Sequence, residues 1–458
     1  MGEKGTAERL ILIKGSDCVG ALLARFAGPV MVGMLVTRLC LIVDGVLVGQ
    51  ALGQEGVAAI TAAAPFVTLL NALVMLVGDG AAAVMALRFG AGDKLRAGAV
   101  MGNALVMFAA LSALAVVGAG CWAPLLLSFT GVETAVLEDA TAYLTIVLGG
   151  TVGLCFSLGV DTFLRVCGFP LRTLAVQVLC AGVNVMAGYV FVIGLGWGVR
   201  GAAWATVVSQ LAALALTTVL LRRADMPVRL RWSDCRPDGQ LMARSLALGL
   251  PSFIVRSTDA AVALLTNFLV VAYGAEGMGA NGALAVAGLV SRVTQFAMVP
   301  AIGIAVGARP LIGFACGGAD ARRVRRLVRC ALRAGTVVLV GAWVAVQLGA
   351  PWLASSFGLA GDAAVVGAMA LRVGLGALPL LMVRIMGTNY FQAAGQARTA
   401  TLLTFCQQCV FLLPLIALTP LVLPAATAVS PLMAVFWGML VADVLSTTLV
   451  AAFLARSL

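Results

Sequence analysis

The sequence predicts an all-α polytopic membrane protein, twelve transmembrane helices in two pseudo-symmetric six-helix bundles, on three observations. Hydrophobic residues make up 62% of the 458-residue chain and charged residues only 11%, against roughly 25% charged in an ordinary globular domain. So few charges do not cover a water-soluble surface. Apolar runs near the length that crosses a bilayer, about 20 residues, recur along the whole chain. The short motifs separating those runs in the first half return in the same order in the second.

The runs fall at 26–48, 57–85, 98–120, 138–163, 173–194, 200–221, 244–272, 281–306, 327–348, 364–386, 399–418 and 431–454. The 53 glycines suit helices that must approach closely, because lipid gives one helix no hydrophobic drive toward another and small residues let backbones touch. Loop charge sets the orientation. Alternate connections carry Lys4, Arg9, Lys14 and Arg25; Arg88, Lys94 and Arg96; Arg165 and Arg172; Arg222 to Arg244; Arg309 and the Arg322–Arg333 cluster; Arg384 and Arg398; and Arg456. The opposite connections hold Arg200, Arg372 and acids such as Glu55, Glu133, Glu138, Asp139 and Glu276. By the positive-inside rule both termini are cytoplasmic and the chain is a multi-pass protein of the cell (inner, cytoplasmic) membrane. The mixed stretch Met1–Lys14 precedes no small-residue cleavage site, so a cleaved signal peptide is not expected.

The longest polar connection, Arg222 to Gln240 with Pro227 and Pro237, reads as a linker. It divides the chain into a first lobe, 1–221, a cytoplasmic linker, 222–243, and a second lobe, 244–458. Gly28-Pro29 returns as Gly249-Leu250-Pro251, and Gly53-Gln54-Glu55-Gly56 as Gly274-Ala275-Glu276-Gly277. Gly92-Asp93 with Arg96 returns as Ala319-Asp320 with Arg323, and Gly168 to Arg172-Thr173 as Gly395 to Arg398-Thr399. Four matches in one order indicate duplication. Halves with an even number of spans insert the same way up, which puts their pseudo-symmetry axis along the membrane normal and a cavity between them.

The net charge of +11 lies in short loops, where it acts as a topology signal and not as a nucleic-acid surface. The 11 cysteines, among them Cys40, Cys121, Cys155, Cys180, Cys406 and Cys409, lie mostly in apolar stretches, and the chain has no histidine. They read as small packing residues, so neither a metal nor another cofactor is expected. No Walker-type phosphate loop, nucleophile elbow, carboxylate metal motif or repeated selectivity filter occurs, which argues against an ATP-driven pump, an enzyme or a channel.

Several stretches resemble the multidrug and toxic compound extrusion (MATE) family of cation-coupled efflux antiporters, and the likeness covers nearly the whole chain. The first half carries Val43-Asp44-Gly45 with Val48-Gly49, Gly56-Val57-Ala58-Ala59 and Gly90-Ala91-Gly92-Asp93. Arg165, Gly168, Pro170 and Arg172 follow, then Asn184, Gly196 to Val199, and Gly201 to Thr206. The second half carries Gly249-Leu250-Pro251, Arg309-Pro310-Leu311-Ile312-Gly313 and Gly395 to Thr399. The resemblance implies two six-helix lobes around a cavity that opens alternately to each side. It also implies export of small amphipathic or cationic compounds by a protein expected to be a monomer.

Ionisable groups inside spans are costly, about 2.5–3.5 kcal/mol each on insertion scales, and are functional candidates for that reason. Asp44 matches the first-helix acid that similar transporters use for coupling; its other reading is a helix-end acid facing outside water. Asn184 and Thr206 match two more members of that cation site, but the position one turn after Asn184, where an acid is expected, is Gly188. A missing carboxylate favours H⁺ over Na⁺ as the coupling ion, since Na⁺ needs several hard oxygens. Asp259, eight residues after Pro251, stands where one branch of the family has a cation-binding glutamate, with Arg256 one turn earlier; the pair either neutralises itself or awaits substrate or a proton. The tenth span has Arg372 and no acid in its interior. Asp79 lines the inner cavity or faces cytoplasmic water, Asp161 pairs with Arg165, and Asp443 is unassigned. Arg38 and Arg292 should face the cavity or a partner rather than lipid. With Arg256 they sustain an alternative, a flippase for a lipid-linked sugar or peptidoglycan precursor. Phe66, Met75, Phe108, Phe296 and Met298 offer a soft surface for varied substrates or simply pack.

Overall fold

A computed structural model describes residues 19–128, 134–222, 227, 230–359, 361–426 and 430–458; Lys4, Arg9, Lys14, Glu133, Arg223 and Arg229 lie outside these. The described chain is helical, without strands. Its spans are α1 Val19–Gly53, α2 Glu55–Gly90, α3 Lys94–Cys121, α4 Val136–Gly149 continued by Thr151–Val166, α5 Pro170–Gly194 and α6 Gly198–Leu221. The second set is α7 Gly239–Tyr273, α8 Gly282–Gly317, α9 Ala321–Ser356, α10 Gly361–Ala393, α11 Ala397–Pro424 and α12 Pro431–Ser457. Eleven are long and apolar enough to cross a membrane, and the bent α4 makes the twelfth. Each overlaps one expected run, and most extend beyond it because helix continues past the hydrocarbon into the turns.

The repeated motifs become repeated turns. Gly92 (φ 81°) and Ala319 (φ 56°) take the same left-handed conformation, and the next residue caps the following helix: Asp93 accepts from the Arg96 amide and Asp320 from the Arg323 amide, each at 3.0 Å. Gly168 (φ 86°) and Gly395 (φ 78°) close α4 and α10, where a side chain would clash with its own carbonyl. The fourth span of each half is broken, by 53° between Gly149 and Thr151 and by a 3₁₀ turn at Leu378–Leu380. The fifth carries a π-helical segment in each half, Tyr189–Gly194 and Cys406–Leu412. One match shifts. The α1–α2 break is at Gly53 (φ 64°), but the α7–α8 break is at Gly279 (φ 75°) and not at Gly274.

Each half has its own core, around Phe108, Phe163 and Leu144 in the first and Phe391, Phe436 and Met386 in the second. The halves also exchange helix starts. Leu22, Leu23, Phe26 and Ala27 of α1 pack in the second core, and Leu248 of α7 packs in the first. Where α2 meets α7 and α8, side chains are excluded altogether: a Cβ on Gly80 or Gly249 would strike backbone of Ser245 or Leu76, and one on Gly90 or Gly317 backbone of Phe314 or Leu87. All of these contacts lie at the arginine-rich end. At the other end Gly45, Gly53 and Gly279 have nothing within 4 Å of a Cβ position, so these close backbone approaches between the halves cluster at the arginine-rich end. The connection between the halves is anchored to α3. Asn103 accepts from the Asp238 amide at 2.7 Å and donates to the carbonyls of Arg236 (3.1 Å) and Asp234 (3.3 Å).

Candidate functional site

Asp44 lies in the half of α1 beyond the closed seam, where four helices of the first lobe converge. One turn before it, the Cys40 thiol donates to Asn184 Oδ1 (3.5 Å) and to the Ala181 carbonyl (3.6 Å) on α5. One turn after Asn184, a Cβ on Gly188 would sit 3.7 Å from Asp44 Oδ1. The absent second acid therefore belongs to a position that faces Asp44 directly, and the π-helical segment of α5 starts with the next residue. From α4, Tyr143 lies within charge reach of Asp44 and is hydrogen-bonded to Thr206 of α6, whose hydroxyl donates to the Ala202 carbonyl at 3.1 Å. Asp44, Asn184 and Thr206 thus belong to one polar cluster. Tyr143 and Cys40 join them, a tyrosine and a thiol that apolar sequence neighbourhoods conceal. Among the described residues Asp44 has no ion pair.

Three other acids within the spans do. Asp161 pairs with Arg165 at 3.1 Å, the i,i+4 contact expected from the sequence, and also accepts from Gln177 at 3.2 Å. Asp443 pairs with Arg384 at 2.8 Å. Asp79 pairs with Arg309 at 2.8 Å across the lobes, with Ser252 donating to it at 2.7 Å. Asn389 accepts from Arg309, and Gln392 donates to Ser252 (3.2 Å) and to the Leu248 carbonyl (2.7 Å). Asp79 is therefore part of the closed seam, with 14% of its side chain exposed. Arg309 and Arg384, assigned from sequence to loops, are membrane-embedded partners of aspartates. Their signal was an opposite charge inside another apolar run.

Asp259 and Arg256 form no close ion pair among the described residues. Asp259 instead interacts electrostatically with Arg256, Arg38 and Arg384, an environment crowded with fixed cations and poorly suited to a mobile one. Arg38 donates to Gln295 of α8 at 2.8 Å, near the middle of both helices. Arg292, one turn from Gln295, is exposed, and Arg372 donates to the Gln347 carbonyl at 3.2 Å. Phe108 is fully buried in the first core and offers no surface to a substrate, whereas Phe296 is 39% exposed. Cys406 and Cys409 stand in a Cys-x-x-Cys spacing on α11. Both are free, and no cluster of metal-ligating side chains occurs among the described residues.

A helical bundle of twelve spans in two similar halves, with charged side chains inside its spans, defines the class: a polytopic membrane protein. The MatE family profile matches residues 29–190 and 251–418, once in each half, and the chain belongs to that family. It is 22% identical over 436 residues to the multidrug export protein MepA of Staphylococcus aureus strain MSSA476, covering 95% of this chain and 93% of that protein. The MepA of Staphylococcus haemolyticus is likewise 22% identical, with 98% and 94% covered. Among solved structures, an outward-facing multidrug resistance MATE family transporter of the MOP superfamily superposes with a TM-score of 0.88 at 23% identity, covering 97% of each chain. A MOP superfamily transporter from Pyrococcus furiosus, described as having a binding pocket of reverse polarity, reaches 0.87 at 23% identity, covering 98% of this chain and 97% of that one.

Proposed function

We propose that the protein is a secondary active antiporter that exports small amphipathic, typically cationic, compounds in exchange for H⁺ or Na⁺. Asp44 is the coupling carboxylate, with Asn184, Thr206 and Tyr143 around it. The observation that carries this reading is that Asp44, unlike Asp79 and Asp161 of the same lobe, has no arginine against it among the described residues. A carboxylate so placed takes a cation from solution when the cleft faces one side and gives it up when the cleft faces the other. Gly188 in place of an acid beside Asp44 favours H⁺. The relatives' designation as multidrug export proteins supports varied amphipathic cargo.

In this reading the lobes are 1–221 and 244–458, joined by 222–243, and a monomer suffices because one chain supplies both walls of the cleft. The arginine-rich end is cytoplasmic, as are both termini, in the cell membrane; the cleft then faces outward. The seam of Asp79, Arg309 and Ser252 is the inner closure that separates during transport. A flippase for a lipid-linked precursor is the second reading, favoured by Arg38, Arg256 and Arg292 in the cleft. Purified protein in proteoliposomes decides between them. Export of a cationic dye should collapse when the H⁺ and Na⁺ gradients are both abolished, and gradient-independent scrambling of a labelled lipid-linked precursor would favour the flippase.

A further inference from the structure

Arg165 at the end of α4, and Arg309 and Arg384 inside α8 and α10, each have an aspartate of their own within 3.1 Å. Among the described residues Arg38, Arg256 and Arg292 do not. Arg38, near the middle of α1, reaches across to Gln295 of α8 at 2.8 Å, and Gln295 in turn donates to Ser291 at 3.3 Å. Arg292 lies on α8 between Ser291 and Gln295 in sequence, so it projects from the same side of the helix one turn farther toward the open end. Arg256, near the middle of α7, is exposed and within charge reach of Arg38. The acid interacting with both is Asp259, which it shares with Arg384. Arg38 and Arg256 share that one carboxylate with Arg384, and the exposed Arg292, one turn from Gln295, adds a further guanidinium, which leaves an excess of positive charge at mid-depth.

Neither lipid nor protein answers that charge. An exposed guanidinium at mid-span is stable only toward water or an anion, and like charges held close repel most where water is scarce. Guanidinium groups also present paired N–H donors that fit the two oxygens of a carboxylate or phosphate. Asp44 follows Arg38 by six residues on α1, nearer the end away from the arginine-rich loops. Resting on the transport reading above, we infer that Arg38, Arg256 and Arg292 form a cleft subsite for an anionic group, so that the cargo is an amphiphile bearing a carboxylate, phosphate or sulfonate. A cationic group on the same molecule is compatible with the Asp44 side of the cleft. The anion can arrive on a soluble compound or on a lipid headgroup, and the two are separable.

Rhodamine 110 and rhodamine 123 share one cationic ring system, and the second is the methyl ester of the first, so they differ in a single carboxylate. Their binding to the full protein in phosphatidylcholine nanodiscs, read by fluorescence polarisation, gives an affinity ratio. Rhodamine 110 should bind at least about tenfold more tightly, the size of one charged hydrogen-bonded contact. The ratio should fall to near one in Arg256→Gln/Arg292→Gln and persist in Arg256→Lys/Arg292→Lys, which keeps the charge should the neutral variant not fold. If phosphatidylglycerol added to the nanodiscs displaces rhodamine 110 from the parent protein but not from the neutral variant, the anion is a lipid headgroup and the subsite stands. A ratio near one in the parent protein without an effect of phosphatidylglycerol, or a ratio unchanged in the neutral variant, overturns the inference. No ion gradient is present, so failed ion coupling leaves this measurement untouched and the two readings fail separately.

Discussion

In the first lobe Asp44 is surrounded by a tyrosine, an asparagine, a threonine and a thiol, none of them a fixed cation. In the second lobe Asp443 is held by Arg384 at 2.8 Å, and Asp259 shares the fields of three arginines. Backbone and charge have diverged differently. The turns at Asp93 and Asp320, the broken fourth spans and the π-helical fifth spans repeat almost one for one, while the polar residues they position do not. A duplicated scaffold therefore supplies two similar halves, but among the described residues Asp44 stands without an arginine, whereas Asp443 is paired with one and Asp259 lies in the field of three.

The largest contrast should appear in stability. Asp443→Asn leaves Arg384 buried without its partner, a loss of about 3–5 kcal/mol for a broken buried pair, whereas Asp44→Asn removes a charge that no arginine needs. Thermal unfolding in detergent should show a marked drop for the first and little change for the second; equal drops would erase the distinction. The seam comes next. Asp79→Asn strips Arg309 of its counter-charge and should shift the lobes away from the closed-seam arrangement, read as a longer spin-label distance across the arginine-rich end. Asp79→Asn/Arg309→Gln, which removes both charges, should restore part of the closure.

Gly188→Asp sharpens the first-lobe account. It places a second carboxylate against Asp44 and should convert a proton-dominated response into a Na⁺-dependent one, seen as Na⁺-stimulated dye export at fixed pH. The smallest effect belongs to Tyr143→Phe. It removes one hydrogen bond to Thr206, worth about 1 kcal/mol, and should change the apparent ion affinity severalfold without abolishing export.

Much of the scaffold was legible because its signals are local. A run of apolar residues specifies a span wherever it packs, and Asp93 and Asp320 cap helices through bonds reaching only three residues. The Asp161–Arg165 contact follows from helical spacing alone. What escaped depends on partners distant in sequence. Arg309 and Arg384 looked like loop charges until Asp79 and Asp443 met them, and Tyr143 sits in an apolar stretch whose sequence does not reveal Asp44 nearby. The shift from Gly274 to Gly279 has the same origin, since both glycines lie in one small-residue run and only packing selects where the chain turns. Asp44, Asn184 and Thr206 could be named from resemblance, but the significance of Gly188 needed the distance to Asp44.

The central claim, that ion coupling belongs to the first lobe, is tested by comparing the parent protein with Asp44→Asn and Asp259→Asn in everted membrane vesicles. Dye export is followed while a proton or Na⁺ gradient is imposed and then collapsed. Gradient-driven export should vanish in Asp44→Asn and survive in Asp259→Asn. Export that remains gradient-driven in Asp44→Asn, or is lost only in Asp259→Asn, would contradict the account.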